Sequence, residues 1–202
     1  MTINRKFIIL AGLFLLGTHA KAEDIQYDLD AGIQYFSGLD AKSLAPSSGY
    51  LLRFAAGSGP KDAFRWISSF SLINTSSSND FDDAGATTKL SYQYLAGEFD
   101  LGLKISPLIA MSKLPIQPYF GFTGAVQVCT FNFGDISTVS ATFAKTDNAA
   151  MFGYNLFVGT DIEIGKGWGF QFHVEQSNIS GTIEKTTMSV SGNRYFFGLF
   201  FQ

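Results

Sequence analysis

Apolar and polar residues alternate along almost the whole chain after residue 24. Within 25–35 the odd positions read Ile, Tyr, Leu, Ala, Ile and Tyr, while the even positions read Gln, Asp, Asp, Gly and Gln. Successive side chains of a β-strand point to opposite faces, so this period of two predicts a strand with one apolar and one polar face. The pattern recurs in seven further segments, separated by turn or polar residues at 38–48, 57–61, 75–86, 106–114, 134–148, 165–167 and 177–185.

The lengths of these connections indicate how the eight strands are arranged. Long and shorter links alternate along the chain, which is typical of bacterial outer-membrane barrels with short periplasmic turns and longer outer loops. Each predicted strand has about ten residues, the length that a tilted strand needs to cross a membrane. An even, closed barrel also leaves no unpaired strand edge in lipid. The sequence therefore predicts an all-β fold, an eight-stranded antiparallel up-and-down transmembrane β-barrel.

The fourth predicted strand contains a change in the alternation. Its first apolar residues, Leu90, Tyr92 and Tyr94, occupy even positions, but its later ones, from Phe99 to Ile105, occupy odd positions. A β-bulge near Gly97 would produce this change by adding one residue to the strand. A strand that leaves the membrane at this point would also produce it, and the sequence does not decide between the two.

The first 22 residues have the three parts of a secretory signal peptide. Arg5 and Lys6 precede a ten-residue apolar stretch, Phe7–Leu16, and Ala20-Lys21-Ala22 provides small residues at a cleavage site between Ala22 and Glu23. The stretch is too short for a membrane-spanning helix, which needs about 20 residues. We therefore expect a signal peptide at 1–22 and the barrel at 23–202.

Cleavage there changes the charge and the inventory of reactive residues. The remaining 180 residues carry 11 basic and 17 acidic side chains, a formal charge of −6, because the removed segment contains three basic residues and no acid. An acidic chain is a poor partner for nucleic acid. His173 and Cys129 are then the only residues of their types, so we expect no disulfide, no zinc site and no cofactor.

The last hairpin resembles the small eight-stranded outer-membrane barrels, the family of the OmpA membrane domain and OmpX. Residues 161–176 read DIEIGKGWGFQFHVEQ, a strand, a short turn followed by Trp-Gly and an alternating strand, and the chain closes with RYFFGLFFQ. Residues 118–125, PYFGFTGA, resemble a strand opening that recurs in this family. The family usually ends on an aromatic residue, whereas here Gln202 follows Phe201.

This resemblance implies a monomeric barrel in the outer membrane of a Gram-negative bacterium. The implied partners are outer-membrane lipid and lipopolysaccharide, and the barrel-insertion machinery, which would read the C-terminal strand. The resemblance implies no single activity. We expect a structural or surface-interaction role through the outer loops and an unknown surface ligand, with no catalysis.

In such a barrel the apolar face meets lipid and the polar face fills the lumen, which eight strands leave barely wide enough for side chains. Buried charges must be paired, so we expect salt-bridged clusters around the inward Arg and Lys residues. A narrow polar conduit for small solutes is the alternative use of the same residues. The predicted interior polar network comprises Asp28, Asp30, Arg53, Arg65, Glu98, Asp100, Lys104, Asp161, Glu163, His173, Glu175 and Arg194.

Outward Tyr and Trp residues are expected to form part of the girdles at the two membrane interfaces. They are Tyr27, Tyr35, Tyr50, Trp66, Tyr92, Tyr154, Trp168 and Tyr195.

Three other readings remain open from the sequence. A soluble lipocalin-like barrel would show the same alternation, with its apolar face turned inward around a ligand. A lipid A-modifying enzyme would need a nucleophile near His173, but Ser177 lies four residues away, about 13 Å along a strand. The acidic segment 79–83 has spaced carboxylates that could bind Ca²⁺ weakly, although it lacks the spacing of a calcium loop.

The signal-peptide prediction is tested by the N-terminus of the protein recovered from the envelope. We expect Edman sequencing and intact mass to give a chain that begins at Glu23, because Ala20 and Ala22 satisfy the small-residue requirement of signal peptidase. Ala22→Tyr should leave the precursor uncut. A mature chain that retains Met1 would contradict the prediction.

Overall fold

The computed structural model describes residues 25–37, 48–59, 63–83, 86–107, 115–133, 146–183 and 186–202. The predicted signal peptide and its cleavage site at Ala22 and Glu23 lie outside them. The strands are β1 (Ile25–Phe36), β2 (Ser48–Ser58), β3 (Phe64–Asp83), β4 (Ala86–Ile105), β5 (Ile116–Phe133), β6 (Thr146–Gly165), β7 (Trp168–Ile183), β8 (Thr186–Ser189) and β9 (Gly192–Phe201).

These strands form one closed antiparallel sheet. Each strand from β1 to β7 pairs with the next along the chain, and β9 pairs with both β7 and β1, which closes the circle. β8 and β9 follow β7 in a single register, from Ile183↔Thr186 to Trp168↔Phe201, so together they are one barrel strand interrupted at 190–191. The predicted eight-stranded antiparallel barrel is therefore confirmed.

The two ends of the barrel differ. One end carries the links 59–63, 106–115 and 166–167 together with the first described residue and the C-terminus; we call it the turn end. There β6 and β7 meet in a tight hairpin, where Gly167 has φ of 79°, a conformation that favours glycine. The opposite end carries the links 37–48, 83–86, 133–146 and 183–186, and we call it the loop end. None of the described residues forms a helix long and apolar enough to cross a membrane.

Several strands continue further toward the loop end than the sequence predicted. The predicted loop 75–86 is instead mostly a hairpin, because β3 and β4 pair without interruption from Phe64↔Ile105 to Asp83↔Ala86. The acidic segment 79–83 thus lies within β3. Most of the predicted loop 177–185 is likewise strand, since β7 extends to Ile183. Segments rich in Ser, Asn and Asp resemble loops in the sequence, but the outward face of a strand beyond the membrane can also carry such residues.

The outer surface of the barrel is apolar around its circumference. On β4, for example, Leu95, Leu101 and Leu103 are 39–46% exposed although they are large aliphatic side chains. The ten residue steps from Ile105 to Leu95 cover about 34 Å of strand, or about 26 Å along the membrane normal at a tilt of about 40°. This height matches the apolar band of about 25 Å in outer-membrane barrels. The lipocalin-like alternative, which needs its apolar face inside, is therefore wrong.

Most of the predicted interfacial aromatics lie on this outer surface. The side chains that are 42–75% exposed are Tyr27, Tyr35, Tyr50, Tyr154, Trp168 and Tyr195. Trp66 is half-buried, and the side chain of Tyr92 lies outside the described set.

Above the apolar band the two faces of the strands exchange character. On β4 the outward residues change from Leu101 and Leu95 to Gln93 and Ser91, while the inward residues change from Glu98 to Ala96 and Tyr94. β7 behaves in the same way, with outward Asn178 and buried Ile179 beyond buried Glu175. The part of the barrel beyond the band is therefore organised like a soluble protein, with its polar face outward. We call this exchange the polarity inversion.

The inversion explains the change of alternation in the fourth strand. β4 pairs with β3 and with β5 in one continuous register, so β4 contains no bulge at Gly97. Tyr94 points into the barrel, where its ring packs against Phe131 with centroids 4.9 Å apart. Of the two alternatives for this strand, the bulge is wrong, and the strand leaves the apolar band at this level.

Arginine substitution at two outward positions of β4 tests the height of the apolar band. Leu101→Arg should lower the free energy of unfolding by about 2–4 kcal/mol, because a cation would face hydrocarbon, whereas Gln93→Arg should cost about 1 kcal/mol or less. Urea titration of the barrel in lipid vesicles measures both variants. Equal costs at the two positions would mean that the apolar band does not end between them.

Candidate functional site: the barrel lumen

The structure places eleven of the twelve predicted interior residues in the lumen. The side chains that are at most 4% exposed are Asp28, Asp30, Arg53, Arg65, Glu98, Asp100, Lys104, Asp161, His173, Glu175 and Arg194. Glu163 is the exception and corrects the prediction, because it is exposed. It lies two residues beyond Asp161 toward the tight turn, where the register of β6 and β7 becomes irregular. At this rim of the barrel an inward strand position no longer means a buried one.

A first group of charges lies near the turn end. Lys104 Nζ is 2.8 Å from Asp161 Oδ2, and Arg65 Nη2 is 3.6 Å from the same oxygen. Gln26 joins a second carboxylate to this group, since its amide donates to Asp28 at 2.8 Å and accepts from Arg65 at 3.1 Å. The four charged residues, Asp28, Arg65, Lys104 and Asp161, form the turn-end cluster, in which two acids balance two bases.

An ion pair and the histidine occupy the middle of the lumen. Arg53 donates to Asp30 Oδ2 from both Nε and Nη2, at 2.9 and 2.7 Å. His173 Nδ1 is 3.2 Å from Arg53 Nη2, and the imidazole stacks on Phe196 with centroids 4.5 Å apart. A β-carbon on Gly159 would lie 2.5 Å from His173 Cβ, so only glycine fits beside this histidine.

A third group surrounds Arg194 near the polarity inversion. Arg194 forms a two-point ion pair with Glu98, with Nη2 to Oε2 at 2.6 Å, and a second ion pair with Glu175 at 2.9 Å. Asp100 lies on the same strand as Glu98, two residues away, and is also buried. Glu98, Asp100, Glu175 and Arg194 form the loop-end cluster, which contains three carboxylates and one base.

Neutral side chains connect this cluster to its surroundings. The Gln127 amide donates to Glu98 at 2.7 Å and accepts from the Tyr94 hydroxyl at 2.5 Å. Gln34 accepts from Arg194 Nε at 3.0 Å and donates to the Val190 carbonyl at 2.8 Å. These amides were not among the predicted network residues. Their inward strand positions were visible in the alternation, but nothing in the sequence indicates that they bridge particular charges.

An apolar cluster lies mostly on the loop-end side of these charges, and its member Phe196 extends it to His173 in the middle of the lumen. It follows directly from the polarity inversion, because the inward residues there are aromatic, aliphatic or small. Cys129 belongs to it as a buried thiol, 3.6 Å from the Ala149 carbonyl oxygen. The cluster comprises Phe36, Leu51, Ile73, Tyr94, Ala96, Ala125, Cys129, Phe131, Ala149, Met151, Ile179, Val190 and Phe196.

The lumen is therefore filled along its length. At the turn end a pocket of about 10 Å³ lies beside Asp28, Arg65 and Lys104, which is space for about one water molecule. Lys104 is further held 3.8 Å from the centre of the Tyr119 ring. Beyond it the ion pairs, and then the apolar cluster, occupy the interior.

The surroundings of His173 test the alternative that the protein is a lipid A-modifying enzyme. Its Nδ1 faces Arg53 and Gln171, and its ring lies between Phe157 and Phe196, deep inside the barrel. No described hydrogen bond joins it to Ser177. Among the described residues no group of three His, Cys, Asp or Glu side chains is arranged to hold a metal ion.

The apolar exterior, the filled polar lumen and the closed antiparallel sheet define an eight-stranded outer-membrane β-barrel. No protein-family model matches the sequence, and no curated protein does either. Solved structures do match the fold. The outer membrane protein OprG from Pseudomonas aeruginosa is similar with a TM-score of 0.65 at 14% identity, over 88% of this chain and 94% of OprG. Neisserial surface protein A is similar with a TM-score of 0.54 at 14% identity, over 88% of this chain and 96% of that one.

Removal of the only base in the loop-end cluster tests how strongly the cluster depends on it. Arg194→Met should destabilise the barrel by about 3–5 kcal/mol, because the buried carboxylates of Glu98 and Glu175 lose their ion-pair partner. Lys166→Met, at the exposed turn, should change stability by less than about 0.5 kcal/mol. Both are measured by urea unfolding in vesicles. An Arg194→Met barrel as stable as the wild type would show that the ion pairs do not hold the lumen together.

Proposed function

We propose that this protein is a closed outer-membrane barrel that displays its loop-end connections at the cell surface, and that its role is structural or one of surface interaction. The connections at 38–47, 84–85, 134–145 and 184–185 would carry the contacts with an unknown surface ligand. Outer-membrane lipid and lipopolysaccharide would surround the barrel, and the barrel-insertion machinery would recognise its C-terminal strand. The protein would act as a monomer without a cofactor.

The observation that supports this proposal most is the filled lumen. Five ion pairs and the apolar cluster occupy the interior where a channel would need continuous water. Any conducting path would have to separate buried charges and displace the rings of Tyr94 and Phe131. Conduction of small solutes is therefore the second candidate, favoured only by the polar character of the turn-end half.

A lipid-modifying activity is supported less well than the surface role or the conduction of solutes. His173 is 1% exposed and its contacts are all inside the barrel, away from the lipid-facing surface where an acyl chain would lie. We therefore propose that the protein is not an enzyme. A His173→Ala variant should leave the lipid A profile of the host cells unchanged, and an altered profile would contradict this.

Conductance in planar bilayers tests the closed barrel. The refolded protein should give no stepwise current, since the charges and the apolar cluster leave no continuous aqueous path. Protein inserted in the same bilayer should still be detected by its heat-dependent shift on SDS gels. Regular conductance steps, abolished by the heating that unfolds the barrel, would favour the channel instead.

The surface role is tested in cells that lack the native copy. A barrel in which 134–145 is replaced by a short Gly-Ser linker should insert normally, as judged by the heat-dependent gel shift, but fail to restore resistance to detergent or adhesion. A matched variant with Gly and Ser inserted between Lys166 and Gly167, at the opposite end, should restore both. Full activity of the loop-replaced variant would contradict a role for that loop.

A further inference from the structure

The charges of the lumen do not balance, and the imbalance is local. Six carboxylates and four bases are buried among the described lumen residues. The turn-end cluster contains two of each, and Arg53 pairs with Asp30. The whole excess of two acids therefore falls in the loop-end cluster, where Arg194 faces Glu98, Asp100 and Glu175.

Asp100 is the carboxylate in this cluster that lacks a base. No described salt bridge includes it, whereas Glu98 and Glu175 both pair with Arg194. Its described partners are neutral, namely the Ser69 hydroxyl at 2.9 Å and the Asn155 amide at 2.8 Å. Asp100 is 3% exposed, and on β4 the apolar cluster begins at Ala96, four residues closer to the loop end. An unpaired carboxylate in such a place is costly unless it is neutralised.

The two carboxyl groups of β4 also share a hydrogen-bond donor. The same Asn155 nitrogen donates to Glu98 Oε1 at 3.2 Å and to Asp100 Oδ1, which holds the two groups together. Two carboxylates held by one donor repel each other, and a proton on one of them removes this repulsion.

We propose that Asp100 and Glu98 bind one proton between them in the folded barrel, so that the loop-end cluster is a buried proton-binding site. The charged groups that face Asp100 are Glu98 on its own strand, Glu175 on β7 and Arg194 on β9. Arg53 acts on Glu175 from the middle of the lumen but is paired with Asp30. One proton lowers the local excess from two negative charges to one and leaves the ion pairs of Arg194 intact.

The site links the stability of the barrel to pH. An exposed aspartate in the unfolded chain gives up its proton near pH 4. The folded barrel would thus hold a proton that the unfolded chain lacks at neutral pH. Stability should then fall as pH rises through the range in which the folded barrel releases this proton.

Two aspartate-to-asparagine variants with matched burial test the proposal. Asp100→Asn makes one member of the pair neutral without a bound proton, so its urea midpoint should equal or exceed that of the wild type at pH 7. It should also vary less with pH than the wild type between about pH 5 and about pH 9. Asp30→Asn, 1% exposed and paired with Arg53, should lower the midpoint across this range. Asp100→Asn that lowers the midpoint as much as Asp30→Asn, or keeps the full pH dependence, would overturn the proposal.

A spectroscopic measurement on the wild-type barrel keeps the test independent of folding yield. Infrared spectra of protein labelled with ¹³C-aspartate and ¹³C-glutamate should show the carbonyl band of a protonated carboxyl at pH 7, and Asp100→Asn should remove it. No such band would refute the site.

A monovalent cation is the alternative ligand of this cluster, because two more buried hydroxyl groups lie beside it. Ser71 pairs with Glu98 on the neighbouring strand, and Thr123 pairs with Asn155. A wild-type urea midpoint that falls when choline replaces sodium at constant ionic strength, with Asp100→Asn insensitive, would assign the site to the cation and contradict proton binding.

Discussion

The low polarity of the lipid around the barrel is the constraint on which the rest of the structure depends. Backbone groups have no water to bond with at that depth, so the sheet must close on itself, as β9 does by pairing with both β1 and β7. Apolar side chains must then face outward, and the charged side chains within the apolar band are directed into a narrow lumen. The ion pairs of the interior follow from this, because charges forced into the same small space must neutralise one another.

The constraint ends where the strands leave the lipid, and the interior changes at the same level. Gln93 and Asn178 face water beyond the apolar band, while Tyr94 and Ile179 turn inward. The interior is therefore charged where the exterior is apolar, and apolar where the exterior is polar. The three carboxylates of the loop-end cluster lie at this boundary, close to the apolar cluster, which is why their charge must be reduced locally.

The sequence predicted the strands and their faces well because alternation depends only on neighbouring residues and on which side meets lipid. It placed Arg53, Lys104 and Arg194 inside for the same reason. It overestimated the loop 75–86, because serine and asparagine on the outer face of an extended hairpin resemble a loop. Glu163 alternates like its neighbours, and its exposure depends on where the lumen ends. Specific partners such as Arg194 and Glu98, 96 residues apart, depend on the register of the closed barrel and on the reach of the side chains.

The polarity inversion is the central claim, and fluorescence quenching by brominated lipids tests it most directly. A single cysteine, carrying a fluorescent label, would be placed at successive positions of β4 in a Cys129→Ser background. We expect strong quenching at Phe99, Leu101 and Leu103, no quenching at Glu98 and Asp100, and a loss of quenching at Gln93 and Ser91. Strong quenching of a label at the even positions 94 and 92, where Tyr94 and Tyr92 stand, would show that these positions face lipid. That result would contradict the inversion.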